Sequence, residues 1–226
     1  MNEEYADEEE TRRSLSENFE QILRKRIIYP SASDMKDYLK RENNKKKIED
    51  VVNSLFKLDP ANGVAYYSKA LLLGFEAIEH AEDEKYYAAT ELMEESEMFL
   101  EEALTKLNIH ESDYVLAVGD LVDLYYGSER VKDGAETGLV KLELQSTLLD
   151  ENLESYTKSV EKYLENVTNQ KEKRDILLKK KEFEDAYIDQ KNILIPGIKK
   201  MRNKNRMGQY QEAMDIYYNI FQTRID

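Results

Sequence analysis

The stretch YYAATELMEESEMFLEEALTKL, residues 86–107, decides the fold class. Tyr86, Ala89, Met93, Ser96, Leu100, Ala103 and Leu107 recur there at alternating steps of three and four. On a helix that turns about 100° per residue, this spacing draws one continuous stripe, the pattern of a close helix–helix seam. Ser96 and the two alanines are small, so a neighbouring helix can approach closely. The same period recurs on either side. Upstream, Val64, Tyr67, Leu71, Phe75 and Ile78 mark one helix face, and Leu15, Phe19, Ile22 and Leu23 another. Downstream, Leu153, Tyr156, Val160, Tyr163 and Val167 repeat the three–four spacing. No stretch alternates apolar and polar residues over strand lengths. Gly (8) and Pro (3) are scarce for 226 residues, which leaves too few turn residues for a many-stranded sandwich or barrel. The expected fold is all-α, with about nine helices and no sheet. Short connections between long helices force antiparallel hairpins, which either close into a bundle or stack in series.

Punctuation sets the expected boundaries. Ser14-x-x-Glu17 reads as a capping box for a first helix that Pro30 stops. Ser31 or Ser33 caps a second helix running to about Leu58, and Asp59-Pro60-Ala61-Asn62-Gly63 is a turn. Polar breaks follow at 82–84 and 108–112, and a helix over about 113–126 ends at Gly127. A further helix is expected over 133–149. Residues 170–224 read as three helical pieces broken near Pro196-Gly197 and Gly208. Residues 1–10 carry six acidic and no basic side chains and are expected as a disordered acidic tail. Residues 11–226 are expected as a single domain, with an N-terminal hairpin over 11–58 and repeat hairpins over 61–226.

Composition also bounds the chemistry. With no Cys, disulfides, thiolate metal sites and cysteine nucleophiles are excluded. Neither histidine completes the Glu-x-x-His motif of a di-iron bundle: Ala77 stands three residues before His80, and Leu107 three before His110. Glu76 and His80 lie one helical turn apart and read as an exposed helix end. No phosphate-binding loop, calcium loop or nucleophile elbow occurs. The expectation is therefore no enzyme activity, no cofactor and no metal. The start of the chain lacks the basic and apolar segments of a signal peptide, and the longest apolar runs are about four residues, far short of the roughly 18 needed to span a bilayer. A cytoplasmic protein without a membrane partner is expected. Asn166-Val167-Thr168 matches a glycosylation sequon and reads as chance within a helix.

The net charge of −14 is unevenly placed. Residues 76–102 hold eleven acidic side chains and one Lys, whereas residues 171–206 hold twelve basic and six acidic. Within the latter, Lys199, Lys200, Arg202, Lys204 and Arg206 have no acidic sequence neighbours. A charge run is usually a solvated helix face; the functional reading is a patch that steers an acidic partner or docks the acidic tail. Nucleic acid is a remote alternative, because the patch lacks interleaved aromatics for stacking and the net charge repels phosphate. Tyrosine occurs 16 times, with pairs at 66–67, 86–87, 125–126 and 217–218. Adjacent helical residues point about 100° apart, so one of each pair can pack inward while the other faces a groove or water.

The segment 207–217 resembles the second helix of a tetratricopeptide repeat: Gly208, Tyr210, Ala213 and Tyr217 fit that family's Gly-x-Tyr-x-x-Ala pattern with an aromatic four residues on. Lys181-x-Phe183-x-x-Ala186 is a weaker copy without the Gly. Ser96, Leu100 and Ala103 match its small–large–small spacing. Leu58-Asp59-Pro60-Ala61-Asn62 looks like a junction between repeats, and Val118-Gly119 stands where a Leu-Gly would. The copies at Phe183 and Tyr210 are 27 residues apart rather than 34. The resemblance implies a divergent α-solenoid or compact right-handed superhelix that acts by binding. Where the family's carboxylate clamp would fall stand Tyr67 and Leu71, then Leu116 and Asp120, so capture of a C-terminal carboxylate is not implied. The expected function is an adaptor that binds a partner peptide or helix, with Tyr67, Leu71, Lys199, Lys200, Arg202, Lys204 and Arg206 as partner-binding candidates. The alternative is a homo-oligomeric structural protein that assembles through the 86–107 seam.

Overall fold

The computed structural model describes residues 2–41 and 43–222, and among them the chain is helical throughout. Nine α-helices occur among the described residues: α1 (Asn2–Leu23), α2 (Ala32–Lys40), α3 (Asn44–Leu58), α4 (Gly63–Glu82), α5 (Tyr86–Lys106), α6 (Ser112–Gly127), α7 (Val131–Leu164), α8 (Gln170–Arg206) and α9 (Tyr210–Gln222). The chain forms two compact units, Met1–Leu124 and Tyr125–Asp226, where one domain over 11–226 was expected; the boundary falls near the end of α6.

In the first unit, residues 2–10 stand in α1 rather than in a separate tail, and Ser14 lies mid-helix, so the expected capping box caps nothing. After α1 the helix widens into a π-helical turn, Arg24–Ile28, which buries both Ile27 and Ile28. Pro30 then ends it, as the sequence implies. Ser31 caps α2 by accepting a hydrogen bond from the Asp34 N–H. The single helix expected up to Leu58 is two. Arg41 is extended and Asn43 is left-handed (φ 59°), a conformation Asn tolerates better than most residues. The turn at 59–62 is present, and Asn62 caps α4 by accepting from the Ala65 N–H at 3.1 Å. Helices α4 and α5 form a tight antiparallel hairpin. Ala89, Ser96, Leu100, Ala103 and Leu107 are buried, and the Ser96 hydroxyl donates to the Ala70 carbonyl at 2.9 Å. Tyr86, at the stripe's end, is exposed. The seam read from residues 86–107 is therefore filled by α4 of the same chain.

In the second unit, two helices expected over 133–167 are one, α7, and two of the three pieces expected over 170–224 are one, α8. Pro196 lies inside α8 and does not break it. Its missing N–H forgoes one helical hydrogen bond, but Leu194, Gly197, Ile198 and Met201 around it are buried and hold the helix in line. Gly197 is required by a close approach: a Cβ there would lie 2.3 Å from Ile220 Cδ1. The break at Gly208 is real; its φ of +70° is the left-handed conformation of a helix end. Beyond it Ala213 and Tyr217 are buried, as their places in the repeat-like motif imply. Helices of 34 and 37 residues are longer than two helices of one 34-residue repeat can be.

Candidate functional site

The first unit contains a buried polar cluster. Asp113, in the first turn of α6, is fully buried. The Arg24 guanidinium donates to its Oδ2, and the Tyr29 hydroxyl donates to its Oδ1 at 2.7 Å. Glu20 and Glu111 lie 3.6 and 3.5 Å from the same guanidinium. The π-helical turn sets the spacing that brings Arg24 and Tyr29 to one carboxylate. Burial, and then the hydrogen bond to Asp113, push the Tyr29 hydroxyl above the usual tyrosine pKa. Tyr67 is 2% exposed, and its hydroxyl donates to Asp120. Burial, then the Asp120 carboxylate, holds its pKa far above the ordinary value. Each donor is matched to an acceptor, so the cluster joins α1, α4 and α6 and has no group poised for transfer chemistry. Tyr67, expected at a partner surface, is a core residue; Leu71 is half-buried.

The same unit carries a cavity of about 400 Å³ lined by Ser33, Lys36 and Leu39 of α2, Lys45 of α3, and Leu72, Phe75, Glu76, Ile78 and Glu79 of α4. Ile78 is 49% exposed. Lys36 pairs with Glu82, and Lys45 with Glu76 at 2.8 Å, across the two sides. Such part-exposed pairs contribute about 0–1 kcal/mol each, so they open readily. His80 lies 4.0 Å from Glu76, and no group of three or more His, Asp or Glu able to hold a metal occurs among the described residues.

In the second unit, the expected basic patch divides. At about 100° per residue, Lys199, Arg202 and Arg206 share a face of α8, whereas Lys200 and Lys204 point elsewhere. Lys204 is taken up by Gln209 at 3.1 Å and by Glu212. Arg202 reaches Glu143 of α7 at 2.6 Å. Lys199 and Arg206 are exposed and make no ion pair among the described residues. The face they share continues upstream through three exposed apolar residues: Leu177 (46%), Ile188 (51%) and Ile195 (53%). These are 11 and 7 residues apart, so they return to nearly one azimuth. Sequence adjacency had drawn attention to the charges; the apolar stripe was missed because its members are too far apart to read as one motif. Among the described residues no helix is long and apolar enough to cross a membrane. No family model, curated protein or solved structure matches the chain.

Proposed function

We propose that the chain is a protein-interaction scaffold and that its second unit binds an acidic partner peptide or helix along the α8 face of Leu177, Ile188, Ile195, Lys199, Arg202 and Arg206. The observation that carries this reading is the coincidence on one face of exposed aliphatic side chains and basic groups left without chain partners. The aliphatic residues supply area to be removed from water, and the cations select an acidic partner and speed its approach. The likeness to a tetratricopeptide repeat is local, lying at the α8–α9 corner, and supports binding by a helical surface rather than a regular repeat array. Nucleic acid is disfavoured as occupant because the face has no aromatic on which a base could stack.

The test is a native pull-down with the wild-type chain and with Lys199→Glu plus Arg206→Glu, both exposed and outside the core. A stoichiometric partner recovered with the wild type should be lost, or weakened about tenfold or more, with the double variant. Its wild-type affinity should fall as salt rises. A partner held equally by both proteins, with an affinity indifferent to salt, defeats the reading.

A further inference from the structure

A second interaction surface lies in the first unit and is independent of the α8 face. The cavity between α2, α3 and α4 has an apolar floor of Leu39, Leu72 and Phe75, with Ile78 half exposed among its lining. Its charges are sorted by origin: α2 and α3 contribute the cations Lys36 and Lys45, and α4 the carboxylates Glu76 and Glu79. The pairs Lys36–Glu82 and Lys45–Glu76 run from one side to the other.

We propose that this groove receives an amphipathic helix of a partner protein whose apolar stripe is flanked by basic residues on one side and acidic residues on the other. A helix laid in an apolar groove points its i, i+3, i+4 and i+7 side chains to the floor and its flanks to the walls. The basic flank then meets Glu76, Glu79 and Glu82, and the acidic flank meets Lys36 and Lys45. Each ion pair that crosses the groove is exchanged for two pairs with the partner, so entry strands no charge. A helix with both flanks of one sign sets like charge against one wall. A small apolar molecule fills the floor but gains nothing from the sorted walls.

The experiment uses the full chain and three fluorescein-labelled helical peptides of about five turns that share one leucine stripe. One carries Lys on one flank and Glu on the other, one Lys on both, and one Glu on both. Fluorescence anisotropy should rank the mixed peptide first by about tenfold or more. In Lys36→Glu plus Lys45→Glu, which makes both walls acidic, the all-Lys peptide should take first place. In the milder Lys36→Gln plus Lys45→Gln, the mixed peptide should lose its lead without that reversal. Ile78→Asp should weaken all three. Equal affinities, saturable binding of none of the peptides, or a ranking unmoved by the charge changes would overturn the proposal. So would self-association of the wild type that Ile78→Asp abolishes, which assigns the groove to a second copy. Saturable binding of the neutral dye Nile red without peptide binding would assign it to a small apolar ligand.

Discussion

Helix α4 and the far half of the α7–α8 hairpin are built on the same three–four spacing, yet they end in different states. Helix α4 lies against α1, α3 and α5 and buries nine residues, among them Val64, Tyr67, Ala70, Leu72 and Leu73. Over residues 143–190 the hairpin buries only Val160. An apolar stripe is fully covered only where a helix has more than one neighbour; two helices alone leave most of it half wet. What joins the far half of the hairpin is correspondingly polar and aromatic. Tyr156 stacks on Phe183 at 4.3 Å, Lys180 meets Glu161 at 3.4 Å, and Lys191 meets Asp150 at 2.8 Å. Asp150 is held below the usual carboxylate pKa, first by the hydrogen bond from Lys191 and then by that from Tyr187.

The sharpest way to break this comparison is to make the same deletion in both places. Leu55 of α3 is fully buried, and Leu55→Ala should cost about 3 kcal/mol by urea denaturation. Leu153 of α7 is only half-buried, and Leu153→Ala should cost less than about 1 kcal/mol. Comparable losses would mean that the far hairpin has a covered core after all.

The polar cluster supplies the next largest effect. In Asp113→Ala, Arg24 and Tyr29 lose their common acceptor. Stranding a buried ion's partner costs about 3–5 kcal/mol, but the Arg24 side chain is 25% exposed and recovers water, so about 2 kcal/mol is expected. Arg24→Met plus Asp113→Leu, which removes both charges, should cost less than Asp113→Ala alone. A double replacement as damaging as the single would show that the ion pair itself, not the stranded group, carries the stability.

How much of this was legible in sequence follows from range. The α5 seam was legible because its period is local, and so were the turns at Pro60, Gly127 and Gly208. The joint between α2 and α3 carries no Gly or Pro, only an Asn that accepts a left-handed conformation. Pro196 punctuates the sequence, but buried neighbours on both sides outvote it. The Arg24–Asp113 pair spans 89 positions, beyond any helical period. Five clustered cations looked like one patch until the turn of the helix separated Lys200 and Lys204 from the rest. Conversely, Leu177, Ile188 and Ile195 form one face that only a continuous α8 reveals.

The near end of the hairpin, where α9 adds a third helix, can be probed at Gly197. A methyl group there meets Ile220 Cδ1 at 2.3 Å, so Gly197→Ala should destabilise by about 1–2 kcal/mol. The gain in helix propensity, about 1 kcal/mol, offsets part of the clash. Ile220→Val removes the clashing carbon and should restore most of the loss in the double variant, a coupling measurable by a double-mutant cycle. Additive effects would show that α9 is not tightly seated on α8.

Tyr67→Phe is the smallest change and the most specific. It keeps the ring and removes only the hydroxyl that donates to Asp120, so at pH 8 it should cost about 1 kcal/mol. The pH dependence has a definite sign. Tyr67 has a raised pKa in the folded chain, so its contribution is complete below the unfolded value of 10.0 and is lost as pH rises above it. At pH 11 the unfolded tyrosine ionises while the folded one keeps its proton, and the wild type forfeits about 1.4 kcal/mol that the Phe variant, having no hydroxyl, keeps. Urea denaturation of the two proteins at pH 8 and pH 11 should therefore show the wild type's advantage vanish or reverse at the higher pH. An advantage that stays constant across that range would mean the Tyr67 hydroxyl reaches water, and α4 would then be less enclosed at this position than its burial implies.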